Sequence, residues 1–249
     1  MEVNFSYEGS IAELPTSICN WIKDNLDIVV QNKILYLTIL PMGIRYVVKI
    51  HHESLDKIKR IRDNTNTLAE INMAPKIYEV KECGTINFTL MDYVPGKTLI
   101  ELMNTKNITF NQIDDLFRDI SVIHQKLKSG HGDLSPHNII YNGKWIFIDF
   151  LDVKDDRNPN DDYVTMLYYF LQPSPIMGQY QIINKIFDFL KKLESDRYKL
   201  IIDALKVFLV DPKTGRKNNE WIYWQLMKLN GEILKDVRDY TTNFFGELE

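Results

Sequence analysis

The sequence predicts an α+β chain in two parts: a small, mostly antiparallel sheet with one long helix, then a mainly helical region. Three observations lead there. Short apolar and β-branched runs recur between residues 27 and 91. Val94-Pro95-Gly96 then interrupts the pattern. Beyond it, helical spacing of apolar residues dominates.

Thr16 to Asn25 reads as a short helix, with Ile18, Trp21 and Ile22 on one side. Asp27 to Val30, Ile34 to Leu40 and Ile44 to Ile50 read as strands from their β-branched and apolar content. Pro41-Met42-Gly43 is the turn between the last two. Ser54 is an N-cap candidate for a helix running from Lys57 to Ala69, striped by Leu55, Ile58, Ile61, Thr65 and Leu68. Lys76 to Val80 and Ile86 to Met91 are two further strands around a Cys83-Gly84 turn. Leu99 to Met103 and Asn111 to Leu127 read as helices. Ile139 to Tyr141 and Trp145 to Ile148 flank Asn142-Gly143, a hairpin signal. Helices are expected near 161–171, 178–193, 196–208 and 218–236. The expected division is a first lobe 1–91, a hinge 92–96 and a second lobe 97–249.

The net charge of −4 provides no global basic field for nucleic acid. Cys19 and Cys83 lack metal-ligand spacing and are expected to be reduced, structural thiols. No secretory signal and no run long enough to span a bilayer is read, so the expected compartment is the cytoplasm. Oligomeric state is not legible.

The chemistry concentrates in His131-Gly132-Asp133-Leu134-Ser135-Pro136-His137-Asn138, followed after the hairpin by Ile148-Asp149-Phe150. A carboxamide oxygen at Asn138 and a carboxylate at Asp149 are hard ligands suited to Mg²⁺. Asp133 can accept a proton from an attacking hydroxyl. Phosphoryl transfer needs these parts.

These residues resemble the protein-kinase-like superfamily. Asp133 matches the catalytic-loop Asp, Asn138 follows at the family's spacing, and Asp149 matches the metal-binding Asp. The HGD form of the loop is similar to aminoglycoside phosphotransferases, choline kinases, lipopolysaccharide core kinases and RIO-type kinases. The resemblance implies a two-lobed kinase-like fold, with ATP and Mg²⁺ as cofactors. It makes Lys49, in Tyr46-Val47-Val48-Lys49-Ile50, the lysine that holds the α- and β-phosphates. It makes the carbonyl of Asp92 and the N–H of Val94 the adenine-binding groups, with Met91 as gatekeeper. Asp63 is the favoured acidic partner of Lys49, with Glu70 and Glu53 as alternatives. One of Asp161 and Asp162 would brace the catalytic loop.

The sequence also departs from the family pattern. No glycine-rich loop precedes Lys49, and Leu151 replaces the glycine after Asp149-Phe150. Eleven residues separate Asp149 from Asp161, too few for a regulated activation loop. The leading expectation is therefore ATP- and Mg²⁺-dependent phosphorylation of a hydroxyl on a small molecule, sugar or glycolipid. An atypical RIO-like protein kinase is the first alternative, and a nucleotide-binding pseudokinase module the second. The acids Asp152, Asp155 and Asp156 could attract a cationic acceptor.

Overall fold

In the computed structural model, residues 3–10, 12–31, 33–40, 42–105, 107–150 and 158–171 are described, with Phe189 and Lys192. The expected helices at 178–193, 196–208 and 218–236 lie outside these residues, apart from those two positions. So do Leu151 and the acids Asp152, Asp155 and Asp156. No helix among the described residues is long and apolar enough to cross a membrane.

The chain divides into two units. The first comprises Met1–Gly96 and Ile146–Asp155, and the second Lys97–Trp145 and Asp156–Glu249. Ile146–Asp155 thus joins the first unit, whereas the sequence assigned it to the second lobe.

The first unit is built on a five-stranded sheet. Its strands are β1 (Val3–Tyr7), β2 (Ile34–Ile39), β3 (Ile44–His51), β4 (Ile77–Cys83) and β5 (Ile86–Asp92), in the order β1-β2-β3-β5-β4. β1 pairs with β2 in parallel, and the other pairings are antiparallel. The β1–β2 connection is a crossover through α1 (Leu14–Asp24) and α2 (Leu26–Gln31). A parallel pair requires such a crossover. Asp27 to Val30 is therefore helical and not the strand expected from its β-branched residues. Within that turn Val29 is buried and Ile28 is exposed.

Strand alternation sorts the sheet into two faces. Leu35, Leu37 and Ile39 of β2, Val48 and Ile50 of β3, and Ile86, Phe88 and Leu90 of β5 form one core with Leu14, Ile18, Cys19 and Ile22 of α1. Cys19 and Cys83 are joined by a disulfide within this core. The expectation of two reduced thiols is corrected: the crossover lays α1 beside the end of β4, although 64 positions separate the two cysteines. The opposite face receives α3 (Leu55–Ala69), where Ile58 packs with Ile77, Val80, Leu55 and Met91. The Ser54 side chain caps α3 by accepting the Lys57 N–H.

The second unit begins with β6 (Lys97–Thr98) and α4 (Leu99–Asn104), continues through α5 (Phe110–Leu127), and includes β7 (Ile139–Tyr141) and α6 (Pro159–Leu171). Thr98 with Glu101, and Thr109 with Gln112, form capping boxes at the starts of α4 and α5. β8 (Trp145–Phe147) follows β7 through a turn in which Asn142 N–H donates to the Lys144 carbonyl. Gly143 sits there at φ +99°, a conformation that disfavours a side chain. This is an α+β fold.

Candidate active site

The loop between α5 and β7 is fixed before its reactive side chains are placed. Lys128 ends α5 in a left-handed conformation at φ +53°. Leu134 and Pro136 are buried and pin the middle of the loop. Asp162, in the first turn of α6, lies beneath its start. Its carboxylate accepts the His131 N–H at 2.6 Å and the Gly132 N–H at 3.2 Å. His124 Nε2 of α5 lies 2.8 Å from the same carboxylate, and both side chains are buried. A charged acceptor bound by several donors is stronger than a neutral one. Of the two candidate braces, Asp162 is the one that holds the loop, and Asp161 is exposed. Gly130 leaves room beside it: a Cβ there would stand 3.1 Å from Asp162 Oδ2, a tight contact.

Asp133 is exposed at the tip. Its N–H donates to His131 Nδ1 at 3.3 Å, which places the imidazole proton on Nε2. Asn138 Nδ2 donates to the Asp133 carbonyl at 2.9 Å and to Asp133 Oδ2 at 3.2 Å. This orients the amide so that its oxygen points away from Asp133, as a cation ligand would require. Tyr169 of α6 has its hydroxyl pKa raised by burial and by the charge of Asp133.

The first unit carries the other two residues. Lys49 and Asp149 form an ion pair. Asp149 is partly exposed and sits at φ +66°, between half-buried Ile148 and buried Phe150. For a residue other than glycine this conformation costs free energy. Phe147 N–H also bonds the Met73 carbonyl, tying this segment to the end of α3.

Asp63, the expected partner of Lys49, is exposed and paired with Arg62 at 2.8 Å. That expectation is corrected: Lys49 takes Asp149, one hundred positions away. Glu53 stands near His51 Nδ1 at 3.8 Å instead. His51 was not singled out by sequence. It is buried two residues beyond Lys49, with Nε2 3.0 Å from Thr89 Oγ1. Burial first, and the Lys49 charge second, lower its pKa to about 4. A histidine on an apolar strand carries no distinguishing signal, so only the fold reveals it.

Asp92 is anchored by its side chain. It accepts the Lys76 N–H at 3.1 Å and the Tyr78 hydroxyl at 2.8 Å. Burial and this bond push Tyr78 up to about 12. Val94, two residues on, is half-buried.

The Lys49–Asp149 pair of the first unit has the chemistry to suit Mg²⁺ bound together with a triphosphate. Among the described residues, no three His, Cys, Asp or Glu side chains gather as a metal cage. Mg²⁺ in phosphotransfer sites instead uses one or two carboxylates plus substrate phosphates. Within the first unit, Asp149 would offer such an ion a carboxylate and Lys49 would offer the phosphates a cation.

Comparison with known proteins agrees with this chemistry. A RIO domain model matches residues 59–164, less than half of the chain. This span includes Asp133, Asn138, Asp149 and Asp162. The fold and motif set are protein-kinase-like. The chain is also 36% identical over 92 residues to a probable serine/threonine-protein kinase of Clostridium acetobutylicum. That match covers 35% of this chain and 14% of the relative's length.

Proposed function

We propose that this chain is an ATP- and Mg²⁺-dependent phosphotransferase acting on a serine or threonine hydroxyl of a protein, as an atypical, RIO-like kinase. The observation that carries it is the braced catalytic loop, in which Asp162 fixes the backbone of His131 and Gly132 and Asn138 is bonded to Asp133. Similarity to a RIO domain and to a protein kinase supports a protein acceptor over the small molecule expected from sequence. In this reading Asp133 orients the acceptor hydroxyl and takes its proton. Lys49 positions the phosphates. Asn138 and Asp149 hold Mg²⁺, and the Asp92 carbonyl and Val94 N–H receive the adenine. Alignment and electrostatic stabilisation supply most of the acceleration.

The test is incubation with γ-labelled ATP, alone, with generic protein acceptors, and with a panel of sugars, choline and aminoglycosides. Label on protein serine or threonine is expected. Asp133→Asn should lower transfer about 10²- to 10⁴-fold, the usual contribution of a general base, while ATP still binds. Label confined to the small-molecule panel would overturn the protein acceptor. Nucleotide binding without transfer would make the chain a binding module.

A further inference from the structure

No glycine hairpin lies ahead of β2, because β1 reaches it through the helical crossover of α1 and α2. A nucleotide bound near Lys49 therefore lacks a backbone cradle contributed by such a loop, and its affinity must be drawn from elsewhere on the sheet.

The face opposite the α1 core carries three cross-strand rows. The Lys49 row contains Ile34, Lys49 and Thr89. One pleat toward the hinge comes Tyr36, Val47 and Met91. One pleat further stand Thr38 and Arg45, with Tyr93 on the segment that follows β5. Successive rows on one face lie about 7 Å apart. A nucleotide with its phosphates at Lys49 and its base toward Asp92 and Val94 lays the base against the middle row. Tyr36, Val47 and Met91 are half-buried. Tyr36 is the aromatic residue among them.

Its ring is also held. Tyr36 and Tyr93 meet edge to face at 6.0 Å between centroids. The Arg45 guanidinium lies 4.2 Å from the centre of the Tyr93 ring and 5.6 Å from that of Tyr36. Such cation–π contacts restrict both rings.

We propose that Tyr36 stacks on the nucleotide base, positioned by Arg45 and Tyr93, and that this stacking supplies grip that a glycine-rich cradle does not provide here. The proposal rests on the kinase reading above and adds a base-recognition residue to it. A base stacked on an aromatic ring resists truncation of that ring, while a ligand without a base is indifferent to it.

Calorimetric titration with MgATP and with magnesium tripolyphosphate separates the two cases. Tyr36→Ala should weaken MgATP binding roughly five- to a hundredfold, the range for loss of one base–aromatic stack. Its tripolyphosphate affinity should stay at the wild-type value. Tyr36→Phe should bind both like wild type. Tyr36→Trp keeps an aromatic face, and its added emission should be quenched by ATP and not by tripolyphosphate. Tyr36→Ala binding ATP as tightly as wild type, equal loss of both ligands in Tyr36→Ala, or no base-dependent quenching in Tyr36→Trp would each overturn the proposal. Lys49→Ala tests the underlying reading separately, because it should weaken both ligands. If Lys49→Ala changes neither while the wild type binds ATP, the nucleotide lies elsewhere and both readings fail.

Discussion

At the residue scale, Asp149 and His51 show what the neighbourhood of Lys49 demands. Among the described residues, Asp149 pairs with Lys49 from a left-handed backbone position. Asp149→Ala should abolish the Mg²⁺ dependence of ATP binding, because metal and triphosphate charge lose their carboxylate. Equal thermal shifts with MgATP in variant and wild type would contradict this. His51 is a buried neutral base whose folded pKa, about 4, lies below its ordinary value of 6.5. The native state thus binds this proton less readily than the unfolded chain. The associated stability is complete above pH 6.5 and is lost as pH falls from there through 4. The loss should reach about 3 kcal/mol by pH 4. Asp119 acts in the opposite sense, since burial and the nearby Asp115 raise it to about 6. Its protonation in the folded state offsets part of the loss. The comparison that isolates His51 is therefore urea denaturation of wild type and His51→Gln across pH 4 to 7.5. The two curves should converge in acid and separate toward neutrality, and parallel curves would refute the assignment.

At the element scale, α5 and α6 hold the catalytic loop through one buried carboxylate. Asp162 accepts two backbone N–H groups and meets His124. An amide at that position cannot satisfy all three with one oxygen. Asp162→Asn should lower kcat and leave the KM for ATP nearly unchanged, with far-ultraviolet circular dichroism retained. A proportionate rise in KM with kcat intact would mean that the brace shapes nucleotide binding instead. Much of the element pattern was legible in the sequence, because β2, β3, β5 and α5 have strong periodicity or a cap. β1 was missed because an edge strand of five residues, only alternately half-buried, leaves a weak signal. α2 was misread because Ile28, Val29 and Val30 favour strands by propensity, and the crossover overrides it. Asp133, Asn138 and Asp149 stand out in the sequence because phosphotransfer would fix residue type and spacing together. The partner of Lys49 could not, because an ion pair spanning one hundred positions exists only in the fold. Tyr36 and Arg45 were equally hidden, since their alignment depends on strand register.

At the scale of the whole molecule, the Cys19–Cys83 disulfide is the covalent link that sequence reasoning missed. It joins the N-terminal crossover to the far edge strand β4, across a sequence separation of 64. Closing a loop of this size removes conformational freedom from the unfolded chain and should stabilise the protein by about 4 kcal/mol. Both cysteines are buried, so a reductant reaches the bond mainly through opening of the first unit. Reducing compartments keep such pairs open, so the effective stability should depend on the redox state of the surroundings. The expected outcome is a melting temperature about 10 °C lower after unfolding, reduction and refolding in reductant than in the oxidised protein. Cys19→Ala with Cys83→Ala should melt near the reduced form and should be indifferent to reductant. Thiol titration supplies an independent reading. The oxidised protein should yield no reactive thiol even in denaturant, and the reduced protein two. Two thiols titrating in denaturant without prior reduction would show that the bond is absent in solution. The original expectation of free cysteines would then stand, and the crossover would be held to the sheet by the α1 core alone.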